Sequence, residues 1–280
     1  MTARRGSGHG PVGLAFCVPV LAVLGAGSAA AAVPPLCAWS DSGASGARPL
    51  LATSLAGDAW TTPPSLAAPG PFTSPGWPLH WKVARTSPDA RRTVVLFQED
   101  DDALRDRLWA TFWDGATWSA GNGTAATALR LPSVNGATLP SDHRQFDAAF
   151  EQRSGELLVV SGINTDESTV HWTHSGTTWS GYTMTPHGNT QVAAVFDWVR
   201  LAPMPGTNRI AFVGVANEFG AGGDAFAVHG AIWDGDTNTW GEKTVLSFPT
   251  SFDAVHATEA VDVAFTLAGD RAGEAVAVWA

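Results

Sequence analysis

The chain has 280 residues, of which 45% are apolar and 15% are charged, and its formal net charge is −10. This composition excludes an intrinsically disordered chain, which combines low hydrophobicity with high net charge. The acidic balance also argues against a nucleic-acid-binding protein, because such proteins gather basic residues to contact phosphates.

The first 32 residues predict a secretory signal peptide. Arg4 and Arg5 form a basic start, positions 13–25 are apolar, and Ala30-Ala31-Ala32 offers the small residues that a signal peptidase accepts. A membrane anchor is the alternative, but the apolar run is short for a spanning helix, and no later segment is long and apolar enough. Cleavage would leave 14 basic and 26 acidic residues, a net charge of −12. We therefore expect a secreted protein, extracellular or at the cell surface, with no membrane span after cleavage.

Residues 33–48 are rich in Pro, Gly and Ser and predict a linker. Of the two cysteines, Cys17 would leave with the signal peptide, and Cys37 would remain alone in the linker. An intrachain disulfide is therefore excluded.

A motif with tryptophan and glycine recurs in the rest of the chain, residues 49–280. Trp113-Asp114-Gly115-Ala116-Thr117-Trp118 is followed by His174-Ser175-Gly176-Thr177-Thr178-Trp179, and then by Trp233-Asp234-Gly235 with Trp240. The closing tryptophans lie 61 residues apart both times. Each motif predicts a tight β-hairpin, because glycine tolerates the positive φ that such turns demand. A fixed period of this kind is typical of a repeat architecture.

The units predict an all-β fold. Complete units cover about 77–135, 140–190 and 195–250, and partial units cover about 49–76 and 256–280. Each complete unit contains four short runs of β-branched and aromatic residues separated by Gly, Pro, Asn and Asp, as four-stranded sheets do. Tandem four-stranded units are typical of β-propeller blades, and an array of two-sheet sandwiches is the alternative.

The two partial units suggest a way to close the array. Gly57–Thr61 resembles the end of the hairpin motif, and the chain ends after two predicted strands of a further unit. Together they could form one composite blade and close a four-bladed ring, which would remove exposed sheet edges. A fragment of a longer array is the alternative.

The motifs resemble those of uncharacterised secreted bacterial proteins with W-D-G-x-x-W repeats. The resemblance rests on Trp113–Ser119 and Asp147–Val160, covers about residues 77–280, and implies a propeller-like surface protein but no activity. The hairpins also resemble, more distantly, the end of the Asp-box of sialidase-type propellers. Trp113 and His174 stand where that motif has its aspartate.

Two carboxylates occupy the same place in the repeat. Phe146–Phe150 is matched by Val261–Phe265, 115 residues later, so that Asp147 corresponds to Asp262. If this strand is innermost, both would face the central channel, and paired carboxylates are what a glycosidase needs. The other interpretation is that each accepts backbone hydrogen bonds from a neighbouring blade and fixes the packing, which a repeated residue more often does.

No cofactor is predicted, with one weak calcium site as the exception. Asp234, Asp236 and Asn238 alternate as the oxygen ligands of a calcium loop do, but Thr239 replaces the expected glycine.

The tryptophans divide into repeated and unmatched positions. The repeated ones, together with the turn glycines, are predicted to be structural: Trp113, Gly115, Trp118, Gly176, Trp179, Trp233, Gly235 and Trp240. The unmatched Trp39, Trp77 and Trp109 are the candidates for stacking on a sugar or a cell-surface protein.

The repeats account for nearly every distinctive residue, and the residues outside them do not form a recognisable catalytic set. The sequence therefore favours a secreted scaffold that presents loops for ligand binding or adhesion, and it leans away from an enzyme. A carbohydrate-active hydrolase that uses Asp147 and Asp262 is the alternative.

Overall fold

The computed structural model describes residues 36–40, 50–56, 59–61, 79–99, 107–126, 128–131, 144–163, 168–186, 193–219, 225–247, 261–268 and 272–279. Within these ranges the chain consists of strands, turns and irregular segments, with no helix, so that the all-β prediction is confirmed. None of the described residues belongs to a helix that could cross a membrane. The predicted signal peptide lies outside the described residues.

The strands form five antiparallel sheets, which we number along the chain. Sheet 1 contains β1 (Leu36–Ser40), β2 (Leu50–Ala56) and β3 (Ala59–Thr61). Sheet 2 contains β4 (Leu79–Thr86), β5 (Thr93–Glu99), β6 (Arg107–Trp113) and β7 (Trp118–Ser119), with β8 (Leu129–Arg130) beside β6. Sheet 3 contains β9 (Phe146–Phe150), β10 (Leu157–Gly162), β11 (Ser168–Ser175) and β12 (Thr178–Trp179), with β13 (Thr183–Pro186) beside β11. Sheet 4 contains β14 (Ala193–Pro203), β15 (Arg209–Phe219), β16 (Ala225–Asp234) and β17 (Thr239–Ser247), and sheet 5 contains β18 (Val261–Phe265) and β19 (Ala275–Trp279).

The two ends of the repeat domain differ from the expected arrangement. Leu36–Ser40 pairs with β2 as a strand, although it falls in the segment predicted to be a linker. The composite blade would need strands from both ends in one sheet, whereas sheet 1 and sheet 5 are separate in the described part of the chain. The apolar run Leu36–Trp39 is long enough to pair with the apolar Leu50–Ala56, and short runs of this kind are easily taken for loops.

The repeated hairpins have the predicted geometry with one variation. Trp113 lies directly opposite Trp118, and Trp233 lies directly opposite Trp240. Gly115 and Gly176 have positive φ angles of 97° and 62°, as the tight turns require. In the third hairpin Asn238, with φ of 54°, takes this role because the turn is two residues longer.

The sheets pack face to face, and each interface is apolar. The largest buried cluster joins sheets 2 and 3, a second joins sheets 3 and 4, and a third joins sheets 4 and 5. The first strands β4, β9, β14 and β18 are neighbours in this order, and β1 contacts β4. Successive four-stranded sheets with adjacent first strands are the blades of a propeller, with the first strands innermost around the axis.

Candidate functional site

Charged side chains lie on the innermost strands of successive sheets. Asp147 is the second residue of β9 and Asp262 the second residue of β18. Their neighbours Phe146, Ala148, Val261 and Val263 pack on the preceding sheet, so the two carboxylates lie on the other face of their strands. We call Arg85, Asp147, Arg200 and Asp262, together with Arg144 just before β9, the axial charged row.

Asp147 joins three successive blades. Its side chain is fully buried, and both carboxylate oxygens accept from Nη2 of Arg85 in sheet 2, at 2.7 and 2.9 Å. The amide of Ala148 donates to Oδ1 at 2.8 Å, and the amide of Leu201 in sheet 4 donates to Oδ2 at 3.0 Å. Arg85 also donates from Nε to the carbonyl of Ala148 at 3.0 Å, so its guanidinium lies along the axial edge of β9. These contacts satisfy the carboxylate and close it off from any ligand.

Asp262 is in a different environment, although it repeats Asp147. Its Oδ1 accepts from the amide of Val263 at 2.9 Å, as Asp147 accepts from Ala148. The guanidinium Nε of Arg200 lies 3.8 Å away, and the Asp262 side chain is 68% exposed. The repeat therefore places one carboxylate inside the packing and leaves the other open at the axis.

Two further groups lie close to this row. The guanidinium of Arg144 lies 5.9 Å from the ring centre of Trp198 and donates to the carbonyl of Val199 at 3.4 Å. Arg200 is two residues after Trp198 on β14, so both side chains lie on the face of sheet 4 that packs on sheet 5. Trp198 and Arg144 are buried and belong to the packing, so the groups of this row that a ligand can reach are Asp262 and the partly exposed Arg200.

Sequence reasoning did not find the arginines of the row. Arg85 and Arg200 stand among apolar residues in their strands, and nothing local marks them. Their spacing from the repeated aspartates was the available signal, since Arg85 precedes Asp147 by 62 residues and Arg200 precedes Asp262 by the same number.

The repeated tryptophans pack between blades. Trp113 and Trp233 are buried, and their ring centres lie 5.0 and 5.3 Å from those of Trp118 and Trp240, across the hairpins. The indole Nε1 of Trp179 donates to the carbonyl of Ala120 in sheet 2 at 3.1 Å. In the next blade, Nε1 of Trp240 donates to Nδ1 of His171 in sheet 3 at 3.3 Å. Each of these indoles thus ties its own blade to the preceding one.

Of the three unmatched tryptophans, Trp109 is the one whose side chain the structure describes. Trp109 is only 4% exposed and lies parallel to Phe97, with 6.4 Å between the ring centres. It is therefore a core residue, and the expectation of an open stacking surface does not hold for it. Trp39 is in β1, but its side chain lies outside the described residues, as does all of Trp77.

The predicted calcium loop is the hairpin between β16 and β17. Asp236 accepts from Asn208 Nδ2 at 2.8 Å and is paired with Arg153, and Oδ1 of Asp234 accepts from the amide of Asp236 at 2.9 Å. The carboxylates thus bind Arg153 from the β9–β10 turn, Asn208 from the β14–β15 turn, and an amide of their own turn. Among the described residues, no group of three or more His, Cys, Asp or Glu side chains is arranged to hold a metal ion.

A second buried carboxylate, Glu151, follows the last residue of β9. Glu151 Oε1 accepts from Nε1 of Trp233 at 3.0 Å, and Oε2 accepts from the hydroxyl of Ser154 at 2.6 Å. Burial raises the pKa of Glu151, while the hydrogen bonds from Ser154 and Trp233 partly offset this rise. This contact joins sheets 3 and 4, and we assign it to packing.

Comparison with known proteins shows the fold. No family model matches the chain, and no curated protein matches it. The α-L-arabinofuranosidase Arb93A of Fusarium graminearum, solved with an iminosugar inhibitor, has a TM-score of 0.53 and 15% identity, over 87% of this chain and 70% of that one. Its complex with arabinobiose gives a TM-score of 0.51. The NanB sialidase of Streptococcus pneumoniae gives 0.42 and 13% identity, over 69% of this chain and 28% of that one.

The likenesses to the two Arb93A structures confirm the propeller fold. They also correct the leaning towards a protein without catalysis, because the structures that share this fold are carbohydrate-active enzymes. That leaning followed from the lack of a local catalytic motif. An active site assembled from separate strands leaves no such motif in the sequence.

Proposed function

We propose that this chain is a secreted carbohydrate-active hydrolase built on a β-propeller, with its site at the axial charged row. The observation that carries the proposal is the pairing of an exposed Asp262 with Arg200, on a fold that arabinofuranosidase Arb93A shares. The same proposal includes export of the chain by the predicted signal peptide. It also includes a relationship to the W-D-G repeat proteins.

Glycoside hydrolysis generally uses two carboxyl groups on either side of the scissile bond. Asp147 is unsuited to this work, since both of its oxygens are engaged and its side chain is fully buried. Asp262 is suited, because its carboxylate is open to a ligand and a guanidinium lies beside it. We therefore assign Asp262 as one of the two carboxylates. The pair suggested by the sequence, Asp147 with Asp262, is given up, and the second acid is a different residue from Asp147.

The ligand that we propose is an uncharged glycan. Guanidinium groups donate to sugar hydroxyls, and an indole offers a flat apolar face to a sugar ring. Trp39 and Trp77 are our remaining candidates for such stacking. Arb93A was solved with arabinobiose, so arabinose-containing glycans are the first substrates to test.

The experiment measures product release by the purified chain from arabinobiose, arabinan and a panel of chromogenic glycosides. We expect hydrolysis of at least one of them, with kcat reduced about 100-fold or more in Asp262→Asn, as for the loss of an acid–base group. Glu242→Gln is the matched control, because Glu242 is an exposed carboxylate that also pairs with an arginine, Arg209, at 2.8 Å.

Three results would count against the proposal. Absence of both hydrolysis and glycan binding across the panel would refute the function. Full activity in Asp262→Asn would refute the site but leave the function standing. Equal losses in Asp262→Asn and Glu242→Gln would show a general effect on the fold.

A further inference from the structure

The loop that follows β7 provides two hydrogen-bond acceptors to sheet 3. The amide of Ala120 donates to the carbonyl of Ala126 at 2.8 Å, so the loop is closed on itself. From sheet 3, Nε1 of Trp179 donates to the carbonyl of Ala120 at 3.1 Å, and Nε2 of His174 donates to the carbonyl of Gly121 at 2.7 Å. We call this segment, from Ala120 to Ala126, the interblade loop, because sheet 3 binds to its backbone.

An asparagine followed by a glycine lies inside the interblade loop. Oδ1 of Asn122 accepts from the hydroxyl of Thr124 at 2.7 Å and from the amide of Thr124 at 3.2 Å. Two donors on a carbonyl oxygen stabilise the negative charge that develops there when a nucleophile attacks the carbonyl carbon. Gly123 is exposed, and the nearest atom that a Cβ at this position would meet is Cβ of Thr177, at 4.0 Å. The backbone nitrogen of Gly123 is therefore open to approach by the Asn122 side chain.

The other asparagines whose side chains the structure describes lack this combination. Asn208 is buried, its Oδ1 accepts from the amide of Ser154, and its Nδ2 donates to Asp236. The residue after Asn208 is an arginine, and the residue after Asn238 is a threonine. A side chain on the following residue hinders approach to its backbone nitrogen, which glycine does not.

We propose that Asn122 deamidates through a succinimide that it forms with Gly123, and that Thr124 assists the reaction. The backbone nitrogen of Gly123 attacks Cγ of Asn122, the Cγ–Nδ2 bond breaks, and the side-chain nitrogen takes up the proton of the amide and leaves as ammonia. Water then opens the ring at either of its carbonyl carbons, which yields aspartate or isoaspartate at position 122. The reaction consumes water and releases ammonia, and it is independent of the proposed hydrolase function.

The product isoaspartate should weaken the contact between sheets 2 and 3. Isoaspartate lengthens the main chain by an atom, whereas aspartate keeps its length. Because the interblade loop is closed on itself, the extra atom has to be accommodated by a shift of its backbone. Gly121 has no room for such a shift, since even a Cβ there would overlap the rings of Phe112 and His174. We therefore expect the hydrogen bonds from His174 and Trp179 to be weakened in the isoaspartate form.

The experiment incubates the purified full chain near neutral pH and follows the tryptic peptide 108–130 by mass spectrometry. This peptide contains Asn122 and no other asparagine. We expect its side-chain NH₂ to be replaced by OH at least as fast in the folded chain as in the isolated peptide. Thr124→Val should slow the conversion about tenfold, because it removes one of the two donors to Oδ1, whereas Thr124→Ser should stay within about twofold of the parent. The internal control is Asn135, which also precedes a glycine but lies in the separate peptide 131–144.

The effect on sheet 3 has its own test. Ion-exchange chromatography separates the converted chain, which carries a new negative charge, and a protein isoaspartate methyltransferase labels its isoaspartate fraction. Hydrogen exchange of the Trp179 indole and of the Ala120 amide should be faster in this fraction than in the parent. Asn122→Asp is the matched control, because it has the same charge as the product without the longer main chain, and its exchange should stay close to that of the parent.

An Asn122 that stays intact in the folded chain while the isolated peptide converts would overturn the proposal, since the fold would then prevent the attack. Equal rates in Thr124→Val and the parent would overturn the role of the hydroxyl. So would an equal change at Asn135, because the effect of Thr124→Val would then not be local. Unchanged exchange at Trp179 in the isoaspartate fraction would overturn the effect on sheet 3.

Discussion

The guanidinium of Arg85 lies within 2.9 Å of both carboxylate oxygens of Asp147, although the two residues are on different blades and 62 positions apart in the chain. The Asp147 carboxylate is buried, and its remaining acceptor capacity is used by the amides of Ala148 and Leu201. One ion pair therefore fixes the relative positions of three innermost strands.

Removing the charge of one partner of this ion pair should destabilise the fold. Asp147→Asn keeps the size of the side chain but removes the charge that compensates Arg85, and we expect a loss of about 3 kcal/mol in the free energy of unfolding. Chemical denaturation of the variant and the parent measures it. Asp262→Asn is the comparison, since its exposed carboxylate should contribute little to stability. Similar losses in both variants would contradict the distinction that we draw between them.

The contrast between these two aspartates shows what sequence could and could not predict. The equivalence of Asp147 and Asp262 in the repeat could be predicted, because the surrounding residues repeat 115 positions apart. Their different environments could not be predicted, because the burial of each carboxylate depends on the sheet that follows and on an arginine from another blade. Likewise, the spacing of Trp118, Trp179 and Trp240 predicted the hairpins, but it could not show that Trp179 and Trp240 donate to the preceding blade. The strand β1 was missed, since a run of four apolar residues has no periodicity that separates a strand from a linker.

Gly235 should be the least replaceable glycine of the third hairpin. A Cβ at this position would overlap the carboxylate of Glu151, which is held by Trp233 and Ser154. We expect Gly235→Ala to destabilise the fold by about 2 kcal/mol through this clash. Gly241→Ala is the control, because no atom outside its chain neighbours lies within 4 Å of a Cβ added at this position. Removing the Glu151 side chain should make Gly235→Ala much milder, and a purely additive double variant would disprove the clash.

The buried Glu151 should make stability decrease as the pH rises. Its pKa is raised above the ordinary value of 4.5, mainly by burial, so the folded state holds a proton that the unfolded state has lost. The stabilisation is complete below pH 4.5 and is lost as the pH rises through the folded-state pKa. In Glu151→Gln this slope should disappear, while the amide oxygen can still accept from Trp233. Denaturation curves from pH 4 to 7 provide the measurement, and an unchanged slope in the variant would refute the assignment.

His171 should produce the opposite slope in the same pH range. Burial lowers its pKa from 6.5 to about 4, so the folded state stays neutral where the unfolded state takes up a proton. Its Nδ1 accepts from Trp240 Nε1 at 3.3 Å and lies 3.4 Å from the hydroxyl of Thr185, and a proton on this nitrogen would oppose the bond from the indole. Stability should therefore fall as the pH drops from 6.5 towards 4, by an amount on the order of 3 kcal/mol.

The variant His171→Asn separates the two effects. Asparagine does not titrate and can accept a hydrogen bond, so its stability curve should lack the acid-side decrease and retain the slope that Glu151 causes. Titration of His171 by NMR provides an independent measurement, because the ring should stay neutral down to a pH well below 6.5. A His171 that titrates near 6.5 in the folded protein would show that the ring is not enclosed between sheets 3 and 4, and that the Trp240 indole does not hold these blades together through it.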